Sequence, residues 1–213
     1  MKTDNRLKVL FEDEDIIVVE KKERTYTISR NGRNDPNLYH EVGEYLRQKD
    51  KDAKVFIVHR LDYDTSGLMV FAKNFKAKNE LQKLFEEGKI LRYYQAVLSS
   101  PLKKDQGKIV NYLKEDKFHN IFVKSHPDRF TKEAVTLYKV GKKGRHPEVL
   151  IQILTGRRNQ IRLAFATLGS PILGDGKYGG EKAGRMFLHA SELDLRAYKK
   201  NGKYDFHTTR PLF

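Results

Sequence analysis

Nine consecutive residues have the make-up of a reactive site: His59-Arg60-Leu61-Asp62-Tyr63-Asp64-Thr65-Ser66-Gly67. They bring together two carboxylates, an imidazole, a guanidinium and two hydroxyls. Apolar runs bracket them, Val55–Val58 before and Leu68–Ala72 after. Charged groups set between buried strands lose hydration, so such a cluster is either internally paired or functional. Three chemistries suit it. Two carboxylates can hold a cation, a carboxylate can attack phosphorus, or a carboxylate can act on a sugar while a glycosidic bond breaks.

The elements that must position this segment follow from periodicity. Lys8–Phe11 and Ile16–Val19 read as a strand pair around the acidic turn Glu12–Asp15. Residues 21–36 are polar, with Gly32 and Pro36, and read as loop. Asn37–Gln48 sets Leu38, Val42, Tyr45 and Leu46 on one helical face. Phe75–Glu87 is helical in pattern and Gly88 is a natural stop. Ile90–Leu98, Ile109–Leu113, Asn120–Lys124, Ala134–Val140, Glu148–Leu154 and Phe187–Leu195 read as strands, and Pro101–Gly107 and Lys142–Arg145 as basic turns. Asn159–Leu168 has Ile161, Phe165 and Leu168 at helical spacing before Gly169, and a Pro/Gly-rich loop runs from Gly169 to Gly180. Strands outnumber helices and do not alternate with them. The expectation is an α+β fold, with a mixed, largely antiparallel central sheet and flanking helices, not a doubly wound one.

Composition narrows the partners. The chain has 213 residues and a net charge of +14. Its first twenty residues carry six acids and three bases, so the remainder carries +17. So one-sided a charge points to a polyanion, above all nucleic acid. Twenty-three Tyr and Phe with only six prolines mark a folded chain. The absence of cysteine excludes disulfides, a thiol nucleophile and cysteine metal sites. No apolar run nears 18 residues and the start does not read as a signal peptide, so a cytoplasmic protein with no membrane contact is expected. Nothing reads as an interdomain linker, and a single domain over 1–213 is expected.

Each chemistry is then tested against sequence. Asp62-x-Asp64-x-Ser66-Gly67 matches the opening of a calcium loop, which needs a bidentate Glu at its twelfth position. Lys73 stands there. Asp62-Tyr63-Asp64-Thr65 resembles the nucleophile motif of haloacid-dehalogenase-like phosphatases. In that family the first Asp directly follows the strand and helices alternate with strands; here His59 and Arg60 intervene and the alternation is missing. The third chemistry has more support. His59-Arg60-Leu61-Asp62-x-x-Thr65-Ser66-Gly67-Leu68, followed by Val70-Phe71-Ala72-Lys73, resembles the central signature of RluA-type RNA pseudouridine synthases. Arg92-x-Tyr94-x-Ala96 resembles their basic-x-Tyr-x-Ala strand. Thr155-Gly156-Arg157-Arg158-Asn159-Gln160-Ile161-Arg162 resembles Thr-Gly-Arg-x-His-Gln-Ile-Arg. Gly169-Ser170-Pro171-Ile172-Leu173-Gly174-Asp175 with Tyr178-Gly179, and Leu188-His189-Ala190, resemble the later motifs. The likeness runs from about residue 7 to about 196.

The resemblance implies the pseudouridine synthase catalytic fold, an isomerase activity on structured ribosomal or transfer RNA, and no cofactor or metal. It implies no separate S4-like RNA-binding domain. No protein partner is implied, and a monomer is expected. Asp62 would be the catalytic carboxylate, Arg162 its partner and Tyr94 the active-site tyrosine. A uridine in structured RNA must be flipped out, and Arg60 would fill the gap. His59 would hold the loop by hydrogen bonds. Asp64, Thr65 and Ser66 would shape the turn, and Gly67 would allow close backbone packing. Arg157 and Arg158, with Lys103-Lys104 and Lys142-Lys143, would meet phosphates. Departures from the pattern are Lys21-Lys22-Glu23-Arg24 for Lys-Pro-x-Gly, Arg92 for lysine, Asn159 for histidine and Ala164 for a second histidine. A catalytically inactive RNA-binding protein or RNA chaperone on the same fold is the competing reading.

Overall fold

A computed structural model describes residues 7–29, 37–200 and 202–208. Packing divides them into two compact units. One takes the described residues up to Ile90 and the returning Leu193–Thr208; the other takes Leu91–Glu192.

The first unit opens with β1 (Lys8–Glu12) and β2 (Ile16–Lys21), then α1 (Leu38–Arg47), β3 (Phe56–Ile57), β4 (Ser66–Ala72) and α2 (Phe75–Glu86). β2 pairs antiparallel with β1 on one side and β4 on the other, and β3 lies antiparallel to the end of β4. β4 is buried throughout and β2 at every residue but Glu20, which is why both read as continuous apolar runs rather than alternating ones. The two helices start on asparagine caps: Asn37 accepts the His40 N–H and Asn74 the Ala77 N–H, each at 2.9 Å. α2 ends where Gly88 turns left-handed at φ 68°. The acidic turn is bonded internally. Asp13 accepts the N–H groups of Asp15 and Ile16, and Lys49, Lys73 and Lys199 pair with Glu12, Asp13 and Asp15.

The core of this unit joins Ile16, Val18, Leu68, Val70 and Leu81 to residues from the far end of the chain, Leu193, Leu195, Tyr204 and Phe206. Residues 22–29 are irregular apart from a bridge between Tyr26 and Asn37, as the polar stretch predicts. The rest of that stretch, with Gly32 and Pro36, lies outside the described residues.

The second unit holds β5 (Leu91–Val97), β6 (Gln106–Glu115), β7 (Ile121–Lys124), β8 (Lys132–Lys142), β9 (Glu148–Ile153), α3 (Gln160–Thr167) and β10 (Leu188–Asp194), whose last residues pass into the first unit. Its strands run β5-β9-β8-β6-β7, each pair antiparallel. The α+β expectation holds, with helices added to largely antiparallel strands. A 3-10 turn (Gly202–Tyr204) and β11 (Asp205–His207) were not legible, being short and flanked by polar residues. α3 also differs from its expected face. Leu168 is 41% exposed, while Leu163 and Ala164 are buried with Ile161 and Phe165. A helix packed on several sides has no single apolar stripe. Among the described residues no helix is long and apolar enough to cross a membrane.

Candidate active site

Asp62 lies half-buried on the loop between β3 and β4, and the residues on both sides of it are tied down. Before it, buried Thr27 grips Leu61: its hydroxyl donates to the Leu61 carbonyl at 3.0 Å and accepts the Leu61 N–H at 3.3 Å. After it, the Tyr63 carbonyl accepts the Thr25 N–H at 3.2 Å and the Lys21 ammonium at 3.1 Å. The Tyr63 ring packs on Tyr26, centroids 4.5 Å apart. The Asp62 carbonyl closes a turn by accepting the Thr65 N–H at 3.1 Å, and Gly67, at φ 118°, gives the chain its left-handed exit into β4.

Lys21 is the residue that sequence reading missed. It ends β2 with none of its surface exposed. Its ammonium donates to three carbonyls, of Lys22 (3.0 Å), Thr25 (2.8 Å) and Tyr63 (3.1 Å). Burial pushes its pKa down to about 8, while the nearby charges of Asp62, Asp64 and Glu23 pull it back up. A lysine closing an apolar strand run was the available signal.

His59 accepts the Val70 N–H on Nε2 at 3.1 Å and stacks on Phe85, centroids 4.8 Å apart. An accepting Nε2 is unprotonated, so this ring serves to fasten the loop to β4. Arg60 points the other way. It is exposed and, among the described residues, makes no ion pair. The twelfth-position Lys73 of the calcium reading is bonded to Glu12, and neither flank of the loop is the helix an EF-hand requires.

The remaining predicted residues belong to the second unit. On β5 the buried side chains of Arg92, Tyr94 and Ala96 share one face by strand alternation. Burial pushes the Arg92 guanidinium below its ordinary range, and the nearby Tyr94 oxygen pulls it back. Gly156 of the β9–α3 turn sits against that guanidinium; an added Cβ would come within 2.6 Å of Nη1. The turn itself is fastened by Gln160, whose side chain accepts from Thr155 and from the Arg157 N–H and donates to Val135 and Thr136 on β8.

Arg162, near the start of α3, is buried in a closed polar set. Its Nε and Nη2 donate to the two oxygens of fully buried Asp175 at 2.7 and 2.6 Å, a bidentate pair. Its guanidinium lies 4.9 Å from the centre of the Tyr178 ring. Asp175 is delivered by a loop that only glycine permits: a Cβ at Gly174, φ 83°, would meet the Arg185 carbonyl at 1.8 Å. Of the phosphate candidates, Arg157 is exposed and Arg158 half-buried on the same turn. Lys103 and Lys104 are exposed, while Lys142 and Lys143 are paired with Glu148 and Asp105.

Comparison with known proteins follows the same residues. Positions 15–167 match the family described as RNA pseudouridylate synthase. The chain belongs to that family. It is 34% identical over 194 residues to the ribosomal large subunit pseudouridine synthase C of Rickettsia bellii, covering 88% of this chain and 63% of the relative. It is 34% identical over 197 residues to an uncharacterized RNA pseudouridine synthase of Haemophilus influenzae, covering 89% and 82%. The chain thus spans somewhat less than two thirds of the Rickettsia protein. Among solved structures, human RNA pseudouridylate synthase domain containing 4 shares the fold, with a TM-score of 0.79 at 20% identity over 96% of this chain and 88% of that one.

Two departures from the pseudouridine synthase pattern have local physical accounts. Asn159 sits at φ 55°, a left-handed conformation that asparagine tolerates. It makes no cap; its amide instead donates to the Tyr178 hydroxyl at 2.9 Å and accepts from Arg162 at 3.3 Å. Arg24 stands where the family pattern has glycine, and it too is left-handed at φ 55°. Glycine adopts this conformation without the steric cost that a Cβ brings.

Proposed function

We propose that the chain isomerises uridine to pseudouridine in structured RNA, with ribosomal RNA the favoured substrate. The observation that carries this reading is the Asp62 loop: a carboxylate held at both neighbours, beside a buried ammonium, next to an exposed arginine. In the reaction the uridine N1–C1′ bond breaks, the base turns, and a C5–C1′ bond forms. C5 loses its hydrogen as a proton and N1 gains one, so atoms balance without a redox partner. Asp62 acts at the sugar, as nucleophile at C1′ or as base on a sugar proton, beside the buried Lys21 ammonium. Arg60 fills the stack that the flipped uridine leaves, its planar guanidinium stacking where lysine could not. Tyr94 packs against the base and takes the C5 proton, with Arg92 on the same face of β5. Arg162, fixed by Asp175, orients the reacting groups.

The ribosomal preference leans on the name of the Rickettsia relative, a ribosomal large subunit pseudouridine synthase. The test is tritium release from C5-labelled uridine in ribosomal RNA and in transfer RNA, with wild-type protein and Asp62→Ala in parallel. Release by the wild type from ribosomal RNA, reduced by at least roughly 10³-fold in the variant, is expected. Binding of RNA without release from either would turn the reading toward the inactive RNA-binding protein.

A further inference from the structure

We propose that a groove in the second unit is a subsite for one unpaired nucleotide of the RNA, distinct from the uridine that reacts. The proposal rests on the function proposed above for its choice of RNA. The groove is a cavity of about 580 Å³ between the β6–β7 hairpin, the start of β8 and the β9–α3 turn. That volume lies within the roughly 300–1,000 Å³ of small-ligand sites.

Its three surfaces differ in chemistry. The floor is apolar, made by buried Leu113 and Ile121, which pack with Leu163 of α3. The wall is Phe130, 59% exposed on the loop before β8. The rim is basic, with Lys114, Lys132 and Arg157. Lys132 makes no ion pair among the described residues. The Arg157 side chain donates to a backbone carbonyl, that of Glu133 at 3.2 Å, and makes no ion pair among the described residues. The one acid of the lining, Glu115, is bonded to Arg158 and His119. The lining thus holds four cations and one acid; Lys114 pairs with Asp128 outside it, and Lys132 and Arg157 are left without a carboxylate among the described residues.

Phe130 has no part in the core, yet its loop is fastened. Asp128 accepts the Phe130 N–H at 2.8 Å, and Asp128 and Thr131 exchange further bonds at 2.9–3.1 Å. Lys114 and Arg129 lie 4.8 and 4.6 Å from the ring centre. A pre-set aromatic face with cations beside it is what a stacked base and its phosphates need. A base stacking on the ring displaces both cations toward its phosphates, Lys114 from a pair with Asp128 at 3.8 Å as well. An acidic peptide would use the rim but has no use for the exposed ring and the apolar floor.

The test is fluorescence anisotropy with a labelled single-stranded oligouridine octamer, across a salt series, beside tritium release on ribosomal RNA. Phe130→Leu should weaken binding by roughly five- to hundred-fold at unchanged salt slope. Lys132→Gln should lower the slope of log affinity against log salt by about 0.7. Both residues are exposed, and unchanged thermal midpoints confirm that folding is intact. Equal octamer binding by wild type and both variants overturns the subsite, and if the wild type still releases tritium the proposed function survives it. Polyglutamate that competes with the octamer at equal charge and is weakened alike by Phe130→Leu also overturns it, in favour of a peptide site. Lost octamer binding in Phe130→Leu with no tritium release from the wild type upholds the subsite and removes the catalytic reading.

Discussion

Around the Asp62 loop the polar contacts are buried and specific: Lys21 meets three carbonyls, Thr27 closes both polar atoms of Leu61, and His59 accepts from β4. At the Phe130 groove the rim is looser, and Lys132 and Arg157 bond to no carboxylate among the described residues. The two regions answer different demands. A reacting carboxylate must be aimed before substrate arrives, because reorganisation during the reaction raises the barrier. A polyanion needs only enough positive charge within a Debye length, and mobile side chains supply that from many positions. Burial costs desolvation, so it is found where direction matters and avoided where only charge does.

This contrast can be broken most strongly at Lys21. Lys21→Met leaves three carbonyls without their donor, and a loss of about 1–3 kcal/mol in unfolding free energy is expected, read by urea denaturation. Tritium release should fall with it even below the unfolding transition, whereas Lys132→Gln on the exposed rim of the groove should leave the unfolding free energy unchanged. Stability equal to wild type in Lys21→Met would mean that the loop is not held from β2.

The next effect is on pH. Lys21 is protonated below about pH 8 and neutral above it. Its positive charge faces Asp62 only in the protonated form, so the rate should decline as pH rises through about 8, approaching tenfold per unit if the charge is essential. Lys21→Arg keeps a charge at high pH and should remove that limb. A limb near 8 that persists in Lys21→Arg assigns it to another group.

The smallest effect sharpens the comparison. Arg24 occupies a left-handed conformation that costs roughly 1–2 kcal/mol for an ordinary residue, set against the greater entropy glycine loses on folding. Arg24→Gly should therefore stabilise the chain by about 0.5–1 kcal/mol, seen as a higher midpoint in urea. A lower midpoint would show that the Arg24 side chain contributes more than its backbone costs.

Much of this was legible in sequence, unevenly. Long apolar runs announced β2 and β4, and Gly88 announced the end of α2, because burial and helix termination are local requirements. Asp62, Arg60, Tyr94 and Arg162 stood out by motif. Hidden were the residues whose importance depends on distant neighbours. Thr27 is an ordinary threonine until Leu61 packs beside it, and Phe130 an ordinary loop aromatic until Leu113, Ile121 and Arg157 surround it. Leu168 went wrong for the converse reason: periodicity assumes one buried face, and α3 has several.

By itself, the sequence determined the class of fold and the family and singled out Asp62 as the candidate carboxylate, since these rest on residue type and short spacing. The tertiary structure alone decided that Lys21 is the buried cation beside Asp62, that Asp175 grips Arg162, and that Lys132 and Arg157 share a groove with an exposed ring. Each of those joins segments far apart along the chain or turns on a burial that composition cannot report, and the energy of a charge depends on what surrounds it more than on what it is.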